Sequence, residues 1–262
     1  MRKKISDIKN QKGGEPLVCL TAYSYPMAQL LDEFCDILLV GDSVGMTIYG
    51  AENTLSVSLE TMINHGKAVV KGSKQSLIVV DMPFGSYENS KEQALENARK
   101  IVEETKCDAV KLETTTDMAD TVNFLVANGI EVIGHVGLMP QHVGEYGGYK
   151  YQGRDEKSAK EILNSAIKIA DAGAFAIVIE GVTEKLASII SKELSVPTIG
   201  IGASMDCDGQ ILVIDDLLGL NQDFKPKFVK QYTNLTEQIK FAVKQYQSEV
   251  KSKKFPAREH CL

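Results

Sequence analysis

Three acids each close a mostly apolar run. Ile37-Leu38-Leu39-Val40 leads into Gly41-Asp42-Ser43, Ile78-Val79-Val80 ends on Asp81, and Ala109-Val110-Lys111-Leu112 ends on Glu113. Carboxylates that converge on one small volume repel each other unless a cation neutralises them. Hard oxygen donors without a Cys or His cluster suit Mg²⁺, which keeps waters and takes substrate oxygens at its open positions. Asp42, Asp81 and Glu113 are therefore a candidate magnesium site; the alternative for each is a solvated or capping acid. Lys111 and Glu113 lie two apart, so on a strand they share a face. The Lys111 ammonium could hold a substrate carboxylate or pair with a neighbouring acid. His135 could steer a carbonyl or a proton, or serve the structure. Glu180 follows Ala176-Ile177-Val178-Ile179, an apolar setting that raises a carboxyl towards the range of a useful base or acid. A metal with open positions, a cation for a carboxylate and a base together suggest enolate chemistry on an α-keto acid. The metal would stabilise the enolate left when a proton departs the carbon beside the ketone.

The elements that must position these residues can be read from the apolar pattern. Four apolar residues in a row at 37–40 do not alternate, which marks a strand buried on both faces, as in a parallel sheet. Strands are expected over 17–23, 37–43, 76–84, 109–113, 131–137, 174–181, 197–204 and 209–216. Helices are expected over 26–34, 58–71, 90–105, 117–128, 156–172 and 183–194, with a long amphipathic helix over 227–250 that puts Phe228, Tyr232, Leu235, Ile239, Val243 and Tyr246 on one face. Pro26 suits a first helical turn, Ser90 with Gln93 reads as a capping box, and Gly129 and Gly173 read as helix stops. Eight apolar strands, most followed by a helix, predict an α/β fold of the (β/α)8 TIM-barrel type. A doubly wound sheet is the runner-up, but no G-x-G-x-x-G follows the first strand. A single barrel domain over 1–262 is expected, with a short polar N-terminal extension and a C-terminal helix. In a (β/α)8 barrel the site lies at the carboxyl ends of the strands. Those ends are Tyr23, Asp42-Ser43, Asp81, Lys111 with Glu113, His135, Glu180, Ser204 and Asp215-Asp216. The stretch 138–155, with GEYGGYKYQGR, is a loop long enough to suggest a functional one.

Composition narrows the class. The chain has 262 residues, 44% of them apolar, and 29 basic against 35 acidic side chains, a formal net charge of −6. That balance argues against a nucleic-acid binder, and no apolar run reaches the length needed to span a bilayer. The basic N-terminus has no apolar stretch behind it, so a signal peptide is not expected. Cys19, Cys35, Cys107, Cys207 and Cys261 are odd in number and widely spaced, which predicts free thiols in a reducing compartment.

The segments LTAYSYPMA, LLVGDSVGM, VVDMPFGSY, AVKLE, GHVGLMPQ, GGYKYQGR, AGAFAIVIEGV and IGIGAS…CDGQILV, in order over about residues 16–230, resemble the ketopantoate hydroxymethyltransferase family. The resemblance implies a barrel of the phosphoenolpyruvate mutase/isocitrate lyase group. It implies transfer of a one-carbon unit from 5,10-methylenetetrahydrofolate to 3-methyl-2-oxobutanoate, giving 2-dehydropantoate on the route to pantothenate and coenzyme A, with Mg²⁺ as cofactor. It implies Asp42, Asp81 and Glu113 as metal ligands, and Asp42, Ser43, Asp81 and Lys111 as contacts to the keto acid. Glu180 would be the proton acceptor with His135 beside the site. It further implies a cytoplasmic homo-oligomer, often a decamer. Three positions depart from the family pattern. Ser24 stands where an acid is usual, Thr114-Thr115 where two glycines are usual, and Ser204 where a glycine is usual. None is a residue assigned to metal or substrate; the Thr pair would crowd the folate side or shift Glu113.

Two other classes compete. A C–C lyase or mutase of the related barrels would carry a KKCGH-type loop motif, and none is present. A barrel without catalysis, serving as a binding or assembly subunit, would bind no metal.

Overall fold

The computed structural model describes residues 2–144, 147–221 and 226–261. The chain divides into two compact units, Met1–Val213 and Ile214–Leu262.

In the first unit, eight strands form a closed barrel in sequence order. They are β1 (Leu17–Thr21), β2 (Ile37–Val40), β3 (Leu77–Asp81), β4 (Ala109–Glu113), β5 (Val132–Gly137), β6 (Ala176–Glu180), β7 (Thr198–Ile201) and β8 (Gly209–Leu212). Every neighbouring pair is parallel, and β8 closes on β1. The expected (β/α)8 barrel is thus the observed one. Its eighth strand stops at Leu212, short of the expected 209–216.

The helices outside the barrel begin where side chains can satisfy their first N–H groups. Ser24 caps α2 (Tyr25–Leu31), accepting from Met27 N at 3.4 Å, and Pro26 occupies the first turn. Ser58 caps α4 (Leu59–Gly72), Ser90 caps α5 (Lys91–Thr105) and Asp155 caps α7 (Glu156–Asp171). Gly129, at φ +81°, follows α6 (Ala119–Ala127), and Gly173, at φ +108°, follows α7. Two short helices complete the set before α8 (Glu184–Glu193): α1 (Ile5–Lys9), and α3 (Val44–Thr47) directly after β2. The expected capping box is half formed: Ser90 Oγ accepts from Gln93 N, but the Gln93 side chain accepts from Asn89 N instead.

Strand parity explains the interior. Leu77 and Val79 of β3, Ala109 of β4, Ile133 of β5 and Val178 of β6 are buried together in one apolar cluster with Cys19, Leu39, Ile199 and Ile211. Ile8 of α1 joins this cluster, and Lys3 N donates to Gln75 O just before β3, so α1 covers the amino end of the barrel. Continuing with period two, the next positions are Asp81, Lys111, Glu113, His135 and Glu180. A polar layer therefore sits on the apolar ones at the carboxyl ends of the strands. The alternate residues, such as Leu38, Ile78, Val80, Val110 and Leu112, are buried too, which is why these strands are apolar on both faces.

In the second unit, α9 (Ile214–Leu218) carries Asp215 and Asp216 in its first turn, so these acids are helical and do not end a strand. Gly219, at φ +71°, follows it, and Tyr232 N donates to Leu217 O. Asn234 caps α10 (Leu235–Lys251). The helix starts eight residues later than the expected 227–250, so Phe228 and Tyr232 precede it. All five cysteines are free thiols, four of them buried. Among the described residues no helix is long and apolar enough to cross a membrane.

Phe175 is fully buried within the barrel cluster. Removing a core aromatic costs the transfer free energy of the ring and leaves a cavity. Phe175→Ala is expected to destabilise the protein by about 3–5 kcal/mol, read as a lowered denaturant midpoint with little change in slope.

Candidate active site

The polar layer brings together most of the residues expected at strand ends. Register places Asp81 of β3 beside Lys111 of β4, and Glu113 of β4 beside His135 of β5. Lys111 Nζ lies 3.0 Å from Asp81 Oδ1, so the ion-pair reading of Lys111 is realised, and the ammonium keeps further N–H donors. Asp81 Oδ2 accepts from the backbone N–H of Asp42 at 3.0 Å, which fixes Asp42 at the turn where β2 gives way to α3. His135 stands between two acids, with Nδ1 3.7 Å from Glu113 Oε1 and Nε2 3.3 Å from Glu180 Oε2. Ser43 Oγ shares a 2.8 Å hydrogen bond with Tyr23 OH, so two further strand-end residues meet at the same rim.

Electrostatics follows from burial. Asp42, Asp81, Lys111, Glu113 and His135 are all buried. Burial pushes the carboxyls up: Asp81 and Glu180 to about 7, with Asp42 and Glu113 also raised. Glu113 is raised further by the charge of Asp42, and Asp81 likewise. Burial also works against the Lys111 charge, but Asp81, Asp42 and Glu113 outweigh it and hold the ammonium above its ordinary value. His135 is held well below its ordinary value by burial and by the Lys111 cation, so its imidazole is neutral.

Four carboxyl groups thus share one ammonium. Such a set is hard-oxygen, negative and desolvated, which is the donor chemistry a divalent cation requires. Among the described residues no three His, Cys, Asp or Glu side chains are grouped closely enough to enclose a metal ion by themselves. Mg²⁺ typically uses one or two carboxylates together with water and substrate oxygens, so the residues present fit that ion.

The site also holds residues that strand-end reasoning missed. Gln141 lies in the turn Pro140–His142 after β5; its backbone N–H donates to both Glu113 oxygens at 3.2 and 3.1 Å, and its Nε2 donates to Asp42 Oδ2 at 2.8 Å. The signal for it was the length of the 138–155 loop alone. Tyr149, further along that loop, has its hydroxyl raised by burial and by the charges of Asp42, Glu180 and Glu113. Glu145 and Tyr146, within the GEYGGYKYQGR stretch, lie outside the described residues.

Ser24, Thr114 and Ser204 each make a hydrogen bond. Ser24 does the capping work that an acid would do. Thr114 points out of the barrel interior by parity; its N–H and hydroxyl both bond His135 O, at 2.8 and 3.0 Å. Ser204 Oγ accepts from Asp206 N at 3.1 Å within the β7–β8 connection.

Residues 2–258 match the family model described as ketopantoate hydroxymethyltransferase. The chain is 57% identical to the 3-methyl-2-oxobutanoate hydroxymethyltransferase of Paracoccus denitrificans (strain Pd 1222), over 97% of this chain and 92% of that one. In fold it is similar to a putative phosphonomutase from Burkholderia cenocepacia J2315, with a TM-score of 0.64, 14% identity, and 80% and 92% of the two chains covered. It is also similar to 2,3-dimethylmalate lyase, a PEP mutase/isocitrate lyase superfamily member, with a TM-score of 0.60, 14% identity, and 97% and 85% covered. These likenesses bear on the fold alone, and they agree with the closed (β/α)8 barrel.

The raised carboxyls have a consequence for stability. Glu180 holds its proton to about pH 7 in the folded chain, against an ordinary value of 4.5. The folded state binds protons that the unfolded state has released, so the associated stability is present below about pH 4 and is lost as pH rises through 7. In EDTA the melting temperature should fall between pH 5 and 8. Glu180→Gln should flatten that fall, and added Mg²⁺ should restore stability at pH 8. A pH-independent melting temperature would contradict the buried-acid assignment.

Proposed function

The chain belongs to the ketopantoate hydroxymethyltransferase family, and from that premise we propose that it transfers a hydroxymethyl group to 3-methyl-2-oxobutanoate, giving 2-dehydropantoate for pantothenate synthesis. The observation that carries the reading is the polar layer of the barrel: buried acids around one lysine, with Glu180 set apart beside a neutral His135. The proposed donor is 5,10-methylenetetrahydrofolate. With one water consumed, the methylene carbon leaves the folate as the hydroxymethyl group and tetrahydrofolate is released.

Asp42, Asp81 and Glu113 would hold a Mg²⁺ ion. Bound there, it would polarise the ketone oxygen and offset the charge that develops as C3 loses its proton. The remaining work falls to the chain's own side chains. Lys111, anchored on Asp81, has N–H donors left for the substrate carboxylate. Asp42, Ser43 and Asp81 lie on the same rim and would line the keto-acid pocket, with the Ser43 hydroxyl oriented by Tyr23. Glu180 takes the C3 proton. Its burial raises it to about 7, close to the operating range that suits a general base. His135 Nε2 lies 3.3 Å from the Glu180 carboxyl, beside the proposed base. Carbon–carbon bond formation follows when C3 meets the methylene carbon of the folate. The 138–155 loop, which carries Gln141 and Tyr149, would limit water entry over the pocket. The reading extends to a cytoplasmic homo-oligomer of decameric type on the strength of the family resemblance.

Deuterium exchange at C3 of 3-methyl-2-oxobutanoate in D₂O tests the proton-abstraction step before any folate is added. Exchange should depend on Mg²⁺ and rise through about pH 7 as Glu180 ionises. Glu180→Gln should slow it by at least about 10²-fold, the usual scale of a general base. Full exchange and full turnover in Glu180→Gln would remove Glu180 from that role. Formation of 2-dehydropantoate on adding methylenetetrahydrofolate tests the donor.

A further inference from the structure

Gln141 is buried, and its side-chain N–H donors and its backbone N–H all find acceptors. Nε2 donates to Asp42 Oδ2 at 2.8 Å and to Met82 O at 3.1 Å. Oε1 accepts from Tyr87 OH at 2.6 Å, and the backbone N–H is shared between the two Glu113 oxygens. The orientation of this amide is not ambiguous. Asp42 Oδ2 and Met82 O are both acceptors, so the NH₂ end must face them and the carbonyl end must face the tyrosine hydroxyl. Tyr87 is itself fully buried, so its hydroxyl holds that orientation from a rigid position. One residue on the loop after β5 thus ties the turn after β2 to the end of β4, across 99 residues to Asp42 and 28 to Glu113.

We infer that Gln141, locked by Tyr87, is a positioning residue that sets how Asp42 and Glu113 present their oxygens to a divalent cation. The inference rests on the reading above that these acids help to hold the ion. The amide fixes Oδ2 of Asp42, while the backbone N–H of the same residue is shared between the two Glu113 oxygens. The side chain and the backbone of Gln141 act on different acids, so the two contributions can be separated. Gln141→Met keeps the length and the N–H to Glu113 and removes only the amide. Tyr87→Phe keeps the ring and removes the hydroxyl that locks that amide and also meets the Glu113 backbone.

The test is calorimetric titration of Mg²⁺ and of Mn²⁺ into the full-length protein, with the melting temperature of each metal-free variant as a check on folding. Asp81→Asn serves as the control for the acid set. Gln141→Met should weaken cation binding by about 10- to 100-fold, the usual effect of losing a group that orients a metal ligand. Tyr87→Phe should weaken it less. In the Gln141→Met background, Tyr87→Phe should lower cation affinity less than it does in the wild type, because part of its effect runs through the amide. A purely structural role would lower both melting temperatures and leave affinity unchanged. Wild-type affinity in a folded Gln141→Met variant, with binding lost in Asp81→Asn, would overturn the Gln141 assignment alone. Additive losses in the double variant would overturn the Tyr87 relay. Absence of cation binding by the wild-type protein, or undiminished binding by Asp81→Asn, would overturn the acid-set reading and this inference with it.

Discussion

The desolvation of several carboxyl groups around one ammonium is the interaction on which the rest of the structure depends. Asp42, Asp81, Glu113 and Glu180 face Lys111 in a pocket from which bulk water is largely removed. In water these charges would be screened and unremarkable. Out of water each ionised acid is costly unless it is paired, hydrogen-bonded or neutralised by a proton or a cation. The protein supplies a partial answer. Lys111 pairs with Asp81, a backbone N–H meets Asp81, and Gln141 serves Asp42 and Glu113. The excess of acid that remains is the donor chemistry a divalent cation requires, while burial, against the pull of the Lys111 cation, raises the Glu180 carboxyl to about 7.

The barrel is the means of building that excess. Inward positions recur every second residue, so the same strands that stack Leu77, Val79, Ala109, Ile133 and Val178 must deliver Asp81, Lys111, Glu113, His135 and Glu180 one step further on. The apolar layers below hold the polar layer rigid, and rigidity matters because a pocket of like charges would otherwise relax by spreading. Gly137 shows how tightly the upper rim is drawn. It has φ +99°, and a Cβ there would stand 2.3 Å from Glu180 O. The end of β5 therefore approaches the Glu180 end of β6 more closely than any side chain at that position would permit, and Leu138 N bonds that same carbonyl.

Much of this was legible in the sequence because it is local and periodic. Unbroken apolar runs marked seven of the strands near their observed ends, and parity alone placed Lys111 and Glu113 on one face. What escaped was non-local or decided at element ends. The run Gly209–Asp216 looked like one strand, yet its last residues turn into α9, where Asp215 and Asp216 occupy a first helical turn that favours acids. The apolar spacing from Phe228 continued in phase with α10, but the helix begins only after Asn234 can cap it. Gln141 could not be found by strand-end reasoning. It sits in a turn, its type is not chemically reactive, and its importance comes from partners far away in sequence. The contact of Thr114 with His135 O is likewise non-local, made across the β4–β5 seam once parity turns the side chain outward.

The weak sequence likeness to phosphonomutase and lyase barrels, set beside 57% identity to a hydroxymethyltransferase, separates two levels of constraint. A closed eight-stranded barrel demands only apolar residues of adequate volume at alternating positions, which many sequences satisfy. The polar layer is far more restrictive. Exchanging Asp81 for an apolar residue would leave Lys111 buried without its 3.0 Å partner, and exchanging Lys111 would leave the acids without their ammonium. Each such change removes one side of a buried charge pair, which is costlier than removing both. The layer therefore changes as a set or not at all, and it is this coupling among buried charges, rather than the barrel, that ties the chain to one chemistry.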